Sequence, residues 1–282
     1  MLASLGETLA YAEKRNCAVG AFDTPNLELL VATIRAAEKR DEPVIIQHAQ
    51  LHEDVMPLAI IGPTMVRCAA DAKVPVCPMI DHATDEAYVH TALALGFPAI
   101  MFDASGRPFD ENVAATKTVV DICRAAGAQV EAELGVTEGH AEMETGGEGT
   151  AHENLYTDPE QAVAFVQATG IDALAASFGT VHGFYRVAPK LDFDRIERTR
   201  ALTGVPLVMH GGSGLSREAT RRAIQCGIRK INYFSYMSHA CVVGVQKLLA
   251  EKEVRFFHEI AEAATAAMEE DCLSAMETFS MQ

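Results

Sequence analysis

Three histidines carry the first chemical signal in this chain. His82, His182 and His210 each stand at or just beyond a short apolar run, respectively Val76–Asp81, Ala173–Phe178 and Leu207–Met209. Three imidazoles with a fourth position open make the ligand set of a catalytic Zn²⁺, and Co²⁺ or Mn²⁺ suits similar donors. Asp103 and Glu133 end two further apolar runs and could hold a second cation or an alternate metal position. After His210 come Gly211, Gly212, Ser213 and Gly214. Glycines let a backbone turn sharply and approach a ligand closely. Ser216 then reads as the cap of a helix over Arg217–Cys226. Strand, glycine turn and helix N-terminus together present free N–H groups and a positive dipole end, which suit a phosphate. Asp81, next to His82, adds a carboxylate at the same strand end.

The elements that must position these residues repeat one pattern. Short apolar strands are expected at Ala18–Asp23, Pro43–Ala49, Val76–Asp81, Ala99–Asp103, Gln129–Leu134, Ala173–Phe178, Leu207–Met209 and Lys230–Phe234. Helical patterns follow at Leu27–Lys39, Val55–Ala72, Asp85–Leu95, Asp110–Ala126, Pro159–Thr169, Asp194–Leu202, Arg217–Cys226 and His239–Lys252. An extra helix precedes them (Leu2–Lys14) and another follows (Val254–Met276). Strands that are apolar throughout are buried on both faces, as in a parallel sheet. Eight such units in one chain predict an α/β fold, a closed (β/α)8 TIM barrel, with a doubly wound open sheet as the second choice. We expect one domain over 1–282, with the helix at 254–277 packed outside the barrel. In such a barrel the active site lies at the C-terminal ends of the strands. Asp23, Asp81, His82, Asp103, Glu133, His182, His210 and Asn232 through Ser235 collect at those ends.

Composition narrows the partners. The formal net charge is −16, from 23 basic and 39 acidic residues, which disfavours nucleic acid and anionic membranes. A local site can still oppose that field and hold a small anion. Residues 1–15 contain Glu7, Glu13 and Lys14 and no apolar core, so no signal peptide is read there. No apolar run is long enough to span a bilayer. Seven cysteines occur without a Cys-x-x-Cys pair, and Cys77, Cys123, Cys226 and Cys241 sit among apolar residues as expected of buried thiols. A soluble cytoplasmic protein is the expectation.

At this point the chain resembles the class II, metal-dependent ketose-bisphosphate aldolases, the fructose- and tagatose-bisphosphate aldolase family. The resemblance runs from Ala18 to about Cys241. It is carried by Ile80-Asp81-His82, Thr116-Lys117, Glu131-Ala132-Glu133-Leu134-Gly135, Tyr156-Thr157-Asp158-Pro159 and Gly179-Thr180-Val181-His182-Gly183. Pro189-Lys190-Leu191-Asp192-Phe193, His210-Gly211-Gly212-Ser213-Gly214 and Lys230-Ile231-Asn232 complete it. The resemblance implies that His82, His182 and His210 bind the zinc, and that Asp103 and Glu133 serve a second or alternate metal position. It implies that Asp81 protonates the aldehyde oxygen. Gly183, Gly211 and Ser213, with Gly212 beside them, match groups that bind the donor phosphate and a monovalent cation. Asn232 matches a donor-binding residue. A homodimer or homotetramer is implied, and the last helix, with Phe256, Phe257, Ile260, Ala264 and Met268 at helical spacing, is expected in or beside the interface.

Departures from the family pattern cluster at the substrate. Asp23 stands for the usual Asn after strand one, and Gln47-His48-Ala49 carries Ala49 for the usual Ser. At strand eight, Ser235 keeps a hydroxyl for phosphate, while Tyr236 replaces a carboxylate. In the polar segment 135–156 the family's general base falls on Ala141; Glu142 one residue on, then His140 one residue back, are the replacements we favour. Glu144, Glu148, His152 and Glu153 are further titratable groups there. The reading is an aldolase for a non-standard sugar phosphate, with Asp23 and Gln47 facing substrate. The competing reading is a zinc-binding paralogue without aldolase activity that acts as a regulatory or partner subunit.

Overall fold

The structure, a computed structural model, describes residues 1–135, 148–149, 156–185 and 188–282. In chain order the elements are α1 (Leu5–Arg15), β1 (Val19–Asp23), α2 (Leu27–Arg40), β2 (Val44–Ala49), α3 (Leu58–Asp71), β3 (Val76–Ala83), α4 (Glu86–Ala94), β4 (Ala99–Phe102) and α5 (Phe109–Ala125). They continue with β5 (Gln129–Leu134), β6 (Glu148–Gly149), α6 (Pro159–Thr169), β7 (Ala173–Ala176), β8 (Phe184–Tyr185) and α7 (Phe193–Thr203). The chain closes with β9 (Leu207–Met209), α8 (Arg217–Cys226), β10 (Ile228–Tyr233), α9 (Ser235–Glu251) and α10 (Phe257–Phe279). Eight strands form a closed barrel in the order β1-β10-β9-β7-β5-β4-β3-β2. Every neighbouring pair is parallel. The (β/α)8 expectation holds.

Two cores follow from the alternation of side chains along each strand. Outward residues such as Ile46, Ile80, Ile100, Leu174 and Ile231 meet the helices. Inward residues Ala21, Ile45, Cys77, Met79, Met101, Ala173, Ala175 and Val208 fill the barrel. Several of these are alanines, which leaves room above them for longer polar side chains. Helix starts follow their sequence signals: Asn26, Asp85, Asp158, Asp192 and Ser216 each accept a backbone N–H of the first turn. Cys77, Cys123 and Cys226 are buried and free, while Cys241 is only half-buried. Among the described residues, no helix is long and apolar enough to cross a membrane.

Most element bounds, those of both terminal helices included, shift by a few residues from the sequence reading, and three of the shifts have a visible cause. The helix expected from Val55 begins at Leu58, because Glu53 accepts the Leu58 N–H and Pro57 takes the cap position. β3 runs on through His82 to Ala83 instead of ending at Asp81. Its register with β4 shifts between Ile80 and Ala83, and His82 sits at φ 46°, a left-handed conformation that few residues with a side chain adopt. The irregularity re-aims the His82 ring. Finally, α9 starts at Ser235, directly after β10, instead of at His239. Ser238 N–H bonds Phe234 C=O, and Phe234 packs tilted against His52 and Tyr236 against Phe184, each with ring centroids 5.0 Å apart. These tertiary contacts draw an apparent loop into the first helical turn, so a helix N-terminus arrives at the strand ends. β6 and β8 pair in parallel outside the barrel, a contact the sequence did not suggest.

Candidate active site

The three histidines meet. The ligand nitrogens of His82, His182 and His210 all lie within 4.8 Å of one another, and all three residues are buried. His82, Asp103 and Glu133 form a second such group. Each ring orientation has a cause. His82 Nδ1 is 2.9 Å from Asp103 Oδ2, and a carboxylate can only accept, so Nδ1 carries the hydrogen. His210 Nε2 is 3.0 Å from Glu131 Oε1, which assigns its hydrogen to Nε2 in the same way. The remaining nitrogens, His82 Nε2 and His210 Nδ1, then face each other at 3.0 Å. Two lone pairs at that distance repel unless a proton or a metal ion lies between them. Tetrahedral zinc, with nitrogens about 2.0–2.1 Å away, would set ligand nitrogens roughly 3.4 Å apart, so these residues fit a divalent metal.

The electrostatics agree. Burial works against the charged form of His82, but Asp81, Asp103 and Glu133 outweigh it and raise its pKa to about 10. His210 moves the other way: burial lowers it against the pull of Glu131, with His82 adding to the fall. Burial and the neighbouring Asp81 push Asp23 well above the usual carboxylate range. Carboxylates crowd this face, and a bound dication would relieve them.

Asp81 is held firmly. Its Oδ1 receives Gln47 Nε2–H and Asn232 Nδ2–H, both at 3.0 Å, while Oδ2 lies 3.7 Å from His82 Nε2. Beside it opens a narrow cleft lined by Asp23, His182, Gly183, Gly211, Ser213, Asn232 and Ser235, among others. Gly211 has φ 65°, and a Cβ there would lie 2.3 Å from the Val181 carbonyl oxygen, so the two loops touch only because this residue is glycine. Tyr185 fastens the same junction, donating its hydroxyl to Gly211 C=O at 2.7 Å and accepting Val181 N–H at 3.3 Å. Ser213 Oγ accepts Phe234 N–H at 3.0 Å. Ser235, first residue of α9, puts a helix N-terminus on the cleft. A larger open groove between Tyr156 and Arg222 contains none of the three histidines.

Most residues singled out from the sequence therefore converge, with two differences. Gly212 is not on the cleft wall, because its N–H is used by the Asn232 carbonyl at 3.2 Å. Gln47 stands behind Asp81 instead of lining the cleft. Glu142 and His140, together with Ala141, Glu144, His152 and Glu153, lie outside the described residues; of Glu148 only the backbone pairing in β6 is described. Two residues were quoted from the sequence only within motifs. Glu131 bonds His210, and Lys230 bonds Glu131 and Asn232, all three buried. The period of two was the available signal: Glu131 faces the same way as Glu133, and Lys230 the same way as Asn232.

Comparison with known proteins places this arrangement. A family profile described as "Fructose-bisphosphate aldolase class-II" matches residues 3–282. A fructose-bisphosphate aldolase of Geobacillus stearothermophilus is 39% identical over 253 residues, covering 89% of this chain and 86% of that one. An uncharacterized protein of Escherichia coli K12, YdjI, is 38% identical over 250 residues, covering 86% and 88%. The crystal structure of the YdjI aldolase superposes with a TM-score of 0.88 at 33% identity, covering 99% of this chain and 97% of that chain. The chain belongs to the class II fructose-bisphosphate aldolase family, metal-dependent carbon–carbon lyases.

Proposed function

We propose that this protein catalyses the reversible retro-aldol cleavage of a phosphorylated ketose other than fructose or tagatose bisphosphate, releasing a dihydroxyacetone phosphate-type donor and an aldehyde. One observation carries the reading: three buried imidazoles converge beside Asp81 on a cleft walled by glycine and serine. We assign His82, His182 and His210 to Zn²⁺, with Co²⁺ or Mn²⁺ as substitutes, and Asp103 and Glu133 with His82 to an alternate position. The bound ion supplies Lewis-acid stabilisation to the negative charge that develops on the donor's oxygens.

The chain's own residues do the rest. The donor phosphate is held by Gly183, Gly211, Ser213 and Ser235 at the N-terminus of α9, with a monovalent cation offsetting its charge. That remote grip orients the reacting carbons. Asn232 offers its amide to the donor. In cleavage, Asp81 Oδ2 takes the hydroxyl proton of the aldehyde half as the carbon–carbon bond breaks, and the electron pair stays on the donor carbon. In condensation the same oxygen returns the proton. The donor carbon exchanges its proton with a base from the 136–155 segment, for which Glu142 and then His140 are the candidates. Asp23 favours a substrate hydroxyl over an anion: its Oδ1 is buried and accepts no hydrogen bond among the described residues.

A panel of ketose phosphates, assayed with metal for released aldehyde, tests the reading. The purified protein is expected to carry about one Zn²⁺ per chain. His210→Ala should lower the metal content and abolish cleavage. Full metal retention in that variant would sink the assignment.

A further inference from the structure

Lys230 is the most deeply buried cation near the site, and none of the steps above uses it. It is fully buried on β10 and reaches across the barrel to Glu131 on β5, with Nζ 2.8 Å from one carboxylate oxygen and 3.0 Å from the other. The small inward residues Ala21, Ala173 and Ala175 leave space for this crossing. A buried ion pair adds little net stability compared with apolar residues of the same volume. Its geometry suggests another use.

Each end of the pair fixes one choice at the cleft. Glu131 Oε1 is 3.0 Å from His210 Nε2, and Lys230 Nζ, which can only donate, lies within 3.0 Å of both oxygens of that carboxylate and leaves it the acceptor toward His210. The hydrogen of His210 must then sit on Nε2, and the lone pair on Nδ1, which faces His82 Nε2. At the other end, Lys230 Nζ donates to Asn232 Oδ1 at 2.6 Å. An amide has one oxygen and one NH2, so Nδ2 must face the opposite way, and it donates to Asp81 Oδ1 at 3.0 Å. Gln47 Nε2 donates to the same oxygen. With two N–H donors on Oδ1, a proton on Asp81 belongs on Oδ2.

We propose that Glu131 and Lys230 are positioning residues that set the hydrogen-bond polarity of the site: Glu131 selects the His210 nitrogen that binds metal, and Lys230, through Asn232, selects the Asp81 oxygen that carries the proton. Neither touches substrate. The inference rests on His210 being a metal ligand. Partners behind a ligating histidine are typically worth about 10–100-fold in metal affinity or activity.

The test has three parts. Nitrogen NMR of ¹⁵N-histidine-labelled zinc protein, with His210 assigned by comparison with His210→Ala, reads the tautomer directly. The expected state has hydrogen on Nε2 and metal on Nδ1; the reverse overturns the proposal, whether or not any variant folds. Second, Zn²⁺ affinity is measured by competition with a chromophoric chelator. Glu131→Gln, whose amide can donate as well as accept, is expected to lose about 10–100-fold while keeping its circular dichroism spectrum. A folded Glu131→Gln with wild-type affinity overturns the role of Glu131. If His210→Ala also keeps wild-type affinity, the metal assignment itself has failed, which separates the two readings. Third, Lys230→Met in the Glu131→Gln background leaves no unpaired buried charge. It is expected to lower kcat further and shift its pH profile with little added change in zinc affinity; identical kinetics in the single and double variants remove Lys230 from the proposal.

Discussion

At the scale of single residues, the division of labour in the cleft predicts separable defects. Asp81→Asn cannot accept or return the aldehyde-side proton, so cleavage should fall by about 10²–10⁴-fold, while metal-dependent exchange of the donor C–H proton with solvent continues near the wild-type rate. Loss of both activities together would show that Asp81 serves the metal site instead. Glu142→Gln should reverse the pattern and suppress exchange. Asp23→Asn restores the family's amide and removes an acceptor with no hydrogen bond to Oδ1 among the described residues. We expect kcat/KM for the true ketose to drop by about 10-fold or more with metal content unchanged; an unchanged ranking across the substrate panel would refute a role in selectivity. His52 offers a pH test away from the ligands. Burial, helped by nearby His48, lowers its pKa to about 4. The unfolded chain then binds a proton on this ring that the folded chain refuses between pH 6.5 and 4. Its contribution is fully present above pH 6.5 and is lost as pH falls toward 4, on the order of 3 kcal/mol at most. Urea titrations of metal-free protein should show a shallower acid loss for His52→Asn.

At the scale of elements, the site depends on close approach between loops. Gly211→Ala places a methyl group 2.3 Å from the Val181 backbone oxygen, so backbone must shift to admit it. Gly204 is a matched control: its φ of 71° is similar, but nothing lies within 4 Å of its added Cβ. Gly204→Ala should cost about 1–2 kcal/mol for the left-handed backbone alone, and Gly211→Ala distinctly more, with lost phosphate affinity. Equal costs by denaturant titration would mean that the loop junction yields easily. The sequence made β9 and α8 legible, because an apolar run, a glycine turn and a serine cap are all local signals. It did not reveal where α9 begins. The start at Ser235 is decided by Phe234 against His52 and Tyr236 against Phe184, partners far away in the chain.

At the scale of the whole molecule, the last helix divides its faces. Ala264, Met268, Cys272 and Met276 are buried, and α10 runs against α9 and α2 outside the barrel. Phe256 and Phe257, at its start, are 63% and 78% exposed, and Val242, Val243 and Leu249 on α9 are exposed as well. Ala264 and Met268, expected in or beside an oligomer interface, are thus taken up by the protein's own helices. We propose that an interface, if formed by this helix, uses its Phe256–Phe257 end. Light scattering at micromolar concentration should give a dimer or tetramer, and replacing both phenylalanines with serine should shift it toward monomer. We also expect 1–282 to behave as one domain, with a single calorimetric transition in the zinc-loaded protein.

The eightfold alternation, the three zinc-type histidines and the glycine turn were determined by the sequence itself, because periodicity, capping and ligand chemistry are written in residue types and short spacings. Asp81 and Asn232 stood out only as polar residues at strand ends, and their roles came from the family resemblance. What they do to each other was not legible there. Glu131 and Lys230 are 99 positions apart, and His82 and His210 are 128 apart. Only closure of the barrel brings opposite strands together, and only the irregularity at His82 turns its ring toward the others. Hydrogen-bond polarity is a property of neighbours across that closed interior, so the tertiary structure alone decided which nitrogen of His210 faces His82 and which oxygen of Asp81 is already filled.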